Sequence, residues 1–209
     1  MSATTAPHEK SDKERVVLDA ATSVFLAHGF SAATTDMIQR EAGVSKATMY
    51  ALFPNKEALF AAVIERQCAK MTASIQAIEA SSGNIAKTLT DIGMSYLKGV
   101  LAPAGLELFR IATAEAPRFP ELGRRFYLAG PKAVSTLVAA RLNEAAQAGE
   151  INVQAAGVEA AAGLFISMVR GEGQLESLTH PGSQPSAAQI DHWVQLAVTT
   201  FLGAFGDKK

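Results

Sequence analysis

The sequence predicts an all-α chain: an N-terminal three-helix domain containing a helix-turn-helix, joined by a long helix to a larger C-terminal helical domain. Three observations predict it. Apolar residues recur at three- and four-residue steps along most of the chain. No stretch of useful length alternates apolar and polar residues. Residues 34–53, TTDMIQREAGVSKATMYALF, read as two short helices joined by a tight glycine turn.

The first helix is expected over about residues 12–28, with Val17, Ala21, Val24 and Phe25 on one face. Gly29 ends it and Phe30 folds back. Thr34 then caps a helix whose first turn carries Asp36, a carboxylate suited to the positive end of the helix dipole, and Ile38 and Ala42 give that helix an inward face. Gly43 stands where a residue of positive φ ends a helix cheaply, and Val44 supplies an apolar contact to the bend. Ser45 caps the next helix, in which Met49, Leu52 and Phe53 face inward while Lys46, Ala47, Thr48 and Tyr50 face out. Pro54 stops it. Asn55 caps a long helix to about residue 80, carrying Phe60, Ile64, Cys68, Met71, Ile75 and Ile78 at helical spacing.

After the SSGN loop at residues 81–84, further helices are expected at about 85–101, 104–115, 120–149, 155–178 and 186–205, separated by proline and glycine. The first eleven residues and the last three or four read as loose ends. The organisation expected is therefore a flexible arm at 1–11, a three-helix domain with a helix-turn-helix at 12–66 and a larger helical domain at 67–209.

The outward residues of the third helix have a chemical logic. A helix entering the major groove needs short side chains near its N-terminus, where Ala47 and Thr48 stand, and cations or hydroxyls for phosphates, which Lys46 and Tyr50 provide. Lys56 and the amides opening the long helix suggest a phosphate clamp. Taken alone, the same segment also reads as a capped turn between two core helices.

With AAxxxFxxxGF at residues 20–30 and AGVSKATMYALFPNKEALF at 42–60, residues 12–65 resemble the DNA-binding domain of the TetR/AcrR family of bacterial transcriptional regulators. The resemblance implies a dimer of three-helix reading heads and repression relieved by a small ligand, with 12–66 as the DNA-binding domain and 67–209 as a helical ligand-binding and dimerisation domain. It places Thr34 and Thr35 against phosphate, puts Lys46, Ala47, Thr48 and Tyr50 on the recognition helix, and gives Lys56 a contact to the DNA backbone. Two positions depart from the family pattern. Gln39 replaces a small alanine between the helices, and Leu52 replaces a histidine or tyrosine that faces phosphate. Further on, ELFRIATAEAPRFPELG at 107–123, FYLAGP and VRGEGQLESL resemble the C-terminal domains of the AefR-like branch, which implies control of a neighbouring transport or stress operon.

Composition sets limits. The chain has 209 residues, 48% hydrophobic and 19% charged, as expected of a soluble globular protein with a sizeable core. No run of about eighteen apolar residues spans a bilayer and the first fifteen residues lack the apolar middle of a signal peptide, so a cytoplasmic location with no membrane partner is expected. The single cysteine, Cys68, excludes an internal disulfide and lies on an apolar stripe as a buried thiol. Residues 1–66 hold seven lysines and arginines against eight aspartates and glutamates, so a head that binds DNA does so through placed charges, such as Lys46 and Lys56, and through pairing.

His8, His28, His180 and His192 lie far apart without metal-ligand spacing, and the GEG at residues 171–173 follows no strand, so neither a metal site, a cofactor nor an enzyme is expected. Arg110, Arg124 and Arg125 either meet an anionic ligand or pair with Glu107, Glu115 and Glu121. Met94, Tyr96, Phe109, Phe126, Phe165 and Met168 are candidate lining residues for a ligand, with ordinary core packing as the alternative. Val158, Phe165, Val169, Trp193, Ala197 and Phe201 on the last two helices form stripes that belong either to the core of the chain itself or to a dimer interface, and the resemblance implies the interface. The function expected is a homodimeric repressor released from a palindromic double-stranded operator by an unidentified small-molecule inducer. The alternatives are a constitutive DNA-binding protein without inducer, and a helical small-molecule-binding or enzymatic protein keeping a vestigial head.

Overall fold

Proline or glycine stands at most of the places where this chain stops being helical, although α4 ends at Gln76 without one. The structure, a computed structural model, describes residues 7–79, 83–180, 182 and 184–206, without the side chains of 7–11. Residues 1–6 of the expected arm, Ser81 and Ser82 of the SSGN loop, Pro181 and the last three residues lie outside the described residues.

The described residues form ten α-helices: α1 (Pro7–Ala32), α2 (Thr35–Ala42), α3 (Lys46–Leu52), α4 (Lys56–Gln76), α5 (Ile85–Leu101), α6 (Pro103–Glu115), α7 (Pro120–Tyr127), α8 (Ala133–Gln147), α9 (Val158–Thr179) and α10 (Ala187–Phe205). The first helix begins five residues earlier than its pattern indicates, with Pro7 at the start where a missing N–H costs nothing. It breaks at Gly29 (φ 73°, ψ 170°), as the sequence leads one to expect.

The expected helix over 120–149 is interrupted by a π-helical turn at Leu128–Lys132. Pro131 explains it: proline lacks the N–H that would close the bond one turn back, so the ladder slips to a wider register and recovers in α8. α9 starts at Val158 rather than 155, because Gly157 turns the chain at φ 81°.

The helices make two compact units, one from residues 1–67 and 107–126 and the other from 68–106 and 127–209. α4 therefore runs out of the first unit after Gln67 and continues in the second from Cys68.

In the first unit an aromatic cluster holds α1 to α4. Phe25 and Phe60 meet edge to face at 4.9 Å, and Phe30 lies 5.1 Å from Phe60. All three are buried, and deleting one such ring typically costs about 3–5 kcal/mol. Phe119, from the PRFP corner between α6 and α7, packs edge-on against Phe30 at 5.0 Å. That contact, the Ser31 Oγ bond to Glu115 (2.6 Å) and the Arg125–Glu65 pair (3.0 Å) bring the 107–126 segment into the unit of the N-terminal helices. Arg66 on α4 closes the other side, donating to Leu18 O and Thr22 Oγ1 at 2.9 Å and pairing with Asp19.

In the second unit α5 is the central helix, packed on α8, α9 and α10. Its buried face carries Leu89, Ile92, Tyr96 and Leu97. Asn84 Oδ1 and Glu150 Oε2 satisfy the amides of Lys87 and Ile85 at its start. Gly173 admits the Trp193 ring so closely that a Cβ would sit 2.8 Å from it, which locks α9 onto α10. Among the described residues no helix is long and apolar enough to cross a membrane.

Cys68 is buried beside Gly130 of the π turn, and desolvation pushes its thiol up to about 11 from 9.0. The folded chain thus keeps a proton that the unfolded chain loses, so stability falls as pH rises from about 9 to 11. The expected contribution is up to roughly 2–3 kcal/mol across that window. Thermal melts at stepped alkaline pH should show a steeper decline for the unaltered protein than for Cys68→Ala; parallel declines would contradict the assignment.

Candidate nucleic-acid interface

The bend between α2 and α3 is built by local rules. Thr34 has extended backbone and its side chain accepts from Met37 N at 3.2 Å, opening α2. Gly43 closes it in the left-handed conformation (φ 64°), with Gly43 N donating to Arg40 O and Val44 N to Gln39 O. This pair of bonds is the Schellman arrangement, and only glycine enters it without strain. Ser45 Oγ accepts from Thr48 N at 3.1 Å to open α3, and Asn55 Oδ1 accepts from Ala58 N at 2.7 Å to open α4. Ile38, Met49 and Phe53 are buried beneath the bend.

The opposite face is open. Thr34, Lys46, Ala47 and Tyr50 are exposed, Tyr50 to 41%, and Thr35 and Thr48 are half-buried. The two helices are tied across this face: Lys46 Nζ reaches Asp36 at 3.1 Å, and the hydroxyls of Tyr50 and Thr35 lie 3.2 Å apart. Asp36 holds the Lys46 ammonium above its ordinary range by hydrogen bonding and charge attraction, so it is cationic at neutral pH. Both partners are exposed, and such pairs are weak and screened by salt. A phosphate could therefore displace Asp36. No helical spacing relates Asp36 to Lys46, so this competitor is not visible in the sequence pattern. Gln39 and Leu52, where the chain departs from its family pattern, are both half-buried.

Lys56 stands differently from the expectation of an outward phosphate clamp. Its ammonium turns back to the end of α1, donating to Phe30 O (2.9 Å), Ala33 O (3.1 Å) and Ser31 O (3.4 Å), and lies 4.5 Å from the Phe30 ring centroid.

The other candidate residues separate. Phe109 and Phe126 meet edge to face at 6.0 Å in the first unit. Met94, Tyr96, Phe165 and Met168 belong to the second, where Tyr96 and Phe165 are buried in the core and Met94 and Met168 are half-buried against it. Met94 also lines an open groove of about 510 Å³ with Ile78, Glu79, Lys87, Asp91, Ser95 and Lys98. Burial raises the Tyr96 hydroxyl above its ordinary range, a shift partly opposed by the charge of Arg170. Nothing in the sequence around Arg170 points to this partner. Among the candidate arginines, Arg110 pairs with Glu107 at 3.2 Å and Arg125 with Glu65 and Glu121 at 3.0 and 3.4 Å.

Four of the expected dimer residues need correction: Phe165, Val169, Ala197 and Phe201 are buried in the core of the chain itself, and a side chain so enclosed cannot meet a second copy. Trp193, packed on Gly173, and Val158 are half-buried against the same core. The outward stripe of α9 is instead Ala160, Leu164, Ser167, Gly171 and Leu175, and that of α10 includes His192, Leu196, Thr199 and Gly203. Leu164, Leu175 and Leu196 are 51%, 61% and 57% exposed.

Comparison with known proteins agrees with this architecture. Residues 17–63 match the family described as bacterial regulatory proteins, tetR family, and residues 87–207 match the AefR-like transcriptional repressor C-terminal domain. The flavonoid-responsive regulator FrrA is 35% identical and superposes with a TM-score of 0.80 over 95% of this chain and 100% of that one. A structure described as a TetR-family transcriptional regulator from Mesorhizobium loti shares the fold, with a TM-score of 0.88 at 23% identity over 95% of this chain and 98% of that one. An uncharacterized HTH-type transcriptional regulator of Bacillus subtilis, YhgD, is 43% identical over 49 residues, which span 23% of this chain and 26% of that protein. With the head matched at its helix-turn-helix and more than half of the chain matched at its C-terminal domain, the chain belongs to the TetR family of DNA-binding transcriptional regulators, in its AefR-like branch.

Proposed function

We propose that this protein is a homodimeric repressor that acts in the cytoplasm and releases a palindromic operator when a small molecule binds its second unit. The observation that carries the reading is the open α2–α3 face. Thr34 and Thr35 lie at the start of α2, and Lys46, Ala47, Thr48 and Tyr50 lie on the first turns of α3. In this reading α3 enters the major groove, Ala47 and Thr48 approach base edges, and Lys46, Tyr50 and the two threonines bind phosphate.

Two copies are proposed to meet through the outward stripes of α9 and α10. Small residues at Ala160, Ser167 and Gly171 allow close helix approach, and Leu164, Leu175 and Leu196 supply apolar area that a lone subunit leaves in water. The inducer is proposed to be an aromatic, hydroxylated molecule, a class supported by the flavonoid-responsive relative. Tyr96 and Arg170 are its proposed polar contacts, with Met94, Phe165 and Met168 of the same unit as apolar ones. Release requires only that the ligand prefer a dimer with mis-spaced heads; a coupling of about 1–3 kcal/mol changes operator affinity roughly 5- to 150-fold.

Selection of bound sequences from random DNA, repeated with a panel of aromatic metabolites, tests operator, symmetry and inducer together. On the selected operator, Lys46→Ala combined with Tyr50→Ala should weaken binding by roughly 100-fold or more while leaving the helical content unchanged. Undiminished binding by the folded double variant rules out this face as the reader. Asp36→Asn frees Lys46 and removes a charge that repels phosphate, so operator binding should tighten several-fold at low salt and converge on the parent at high salt; weaker binding at low salt contradicts the competition. Leu164→Glu with Leu196→Glu should turn the dimer into a folded monomer in sedimentation, and a dimer that survives the change disproves the proposed interface.

A further inference from the structure

We infer that Lys56 is a positioning residue rather than a phosphate contact: it fastens the end of α1 to the start of α4 and so sets where α2 begins. The inference deepens the proposed DNA-reading function and rests on it.

A lysine ammonium has three donors and no acceptor. Here the three are directed at the carbonyls of Phe30, Ala33 and Ser31, and the charge sits over the Phe30 ring. Those carbonyls lie just beyond the break at Gly29, in the turn that leads from α1 into α2. A cation at the first residue of α4 is disfavoured by that helix's positive end, and the fold accepts it there to satisfy them.

Ala33 directly precedes Thr34, the cap of α2, so the clamp fixes the residue from which α2 departs. To reach a phosphate instead, Lys56 must abandon three carbonyls, two of them in part-buried bonds. The resemblance assigns Lys56 a backbone contact, but in this chain its donors are already spent.

The two roles differ in salt dependence. A lysine that neutralises a phosphate contributes about −0.9 to the slope of log affinity against log salt. A positioning lysine contributes to affinity without contributing to the slope. The experiment is therefore operator binding by Lys56→Met over a range of salt, with amide hydrogen exchange measured on the DNA-free variant. The expected result is affinity lowered about tenfold at every salt concentration, an unchanged slope, and faster exchange across residues 30–38. A slope shallower by about 0.9 per subunit overturns the inference, as does unchanged affinity or unchanged exchange.

Should Lys56→Met not fold, lysine ammonium resonances of the unaltered protein decide. A Lys56 signal protected from solvent both without and with operator supports the clamp. A signal that becomes protected only when operator is added overturns it. Loss of the underlying reading looks different, because the unaltered protein would then show no salt-dependent operator binding at all.

Discussion

The first unit depends on the place where Gly29 stops α1 and turns Phe30 inward. Gly29 adopts φ 73°, closed to most side chains without strain, and the chain reverses just far enough to bury the ring that follows. Phe30 then meets Phe25 from its own helix, Phe60 from α4 and Phe119 from the corner after α6. Three separate stretches of sequence share one aromatic cluster, so α2 and α3 start from a point fixed by long-range packing. Their own turn needs only to be correct locally, and the caps at Thr34, Gly43 and Ser45 make it so.

Much of this is legible in the sequence because it obeys nearest-neighbour rules. Threonine, serine and asparagine before helices, and glycine after one, act within three or four residues, and each does here what its position indicates. The break at Gly29 and the inward set of Ile38, Met49 and Phe53 are readable for the same reason: a helical period says which residues share a face. The π turn is half legible. Gly130-Pro131 marks a fault, but whether a proline ends a helix or widens one turn depends on what packs beside it, here Cys68.

What the sequence leaves hidden is the identity of a face's partner. α9 and α10 each have two apolar stripes, and the heavier one, with Phe165, Val169, Ala197 and Phe201, attracts attention as an interface. Burial shows that the heavier stripe makes the subunit's own core, while isolated leucines among glycine, alanine, serine and threonine lie outside. Likewise Lys56 is recognisable as a cation at a helix start, but its long stem can point either way, and the unsatisfied carbonyls that decide the direction lie more than twenty residues away in sequence. The pairing of Glu115 with Ser31 is more distant still.

Neutral charge in the head then acquires a physical meaning. Residues 1–66 carry no excess of cations, one exposed lysine of the reading face is paired with Asp36, and Lys56 is engaged inside the fold. A single head so arranged has few charges to release counterions with, so little of its affinity is independent of DNA sequence. Weak heads become useful when two are linked, because the second binds at the high effective concentration set by the first, and the gain vanishes if their spacing is wrong. Strongly basic heads would hold DNA even when misaligned. On the proposed reading, the poverty of positive charge therefore makes operator binding sensitive to the geometry of the dimer, which is the quantity that a ligand in the second unit can change.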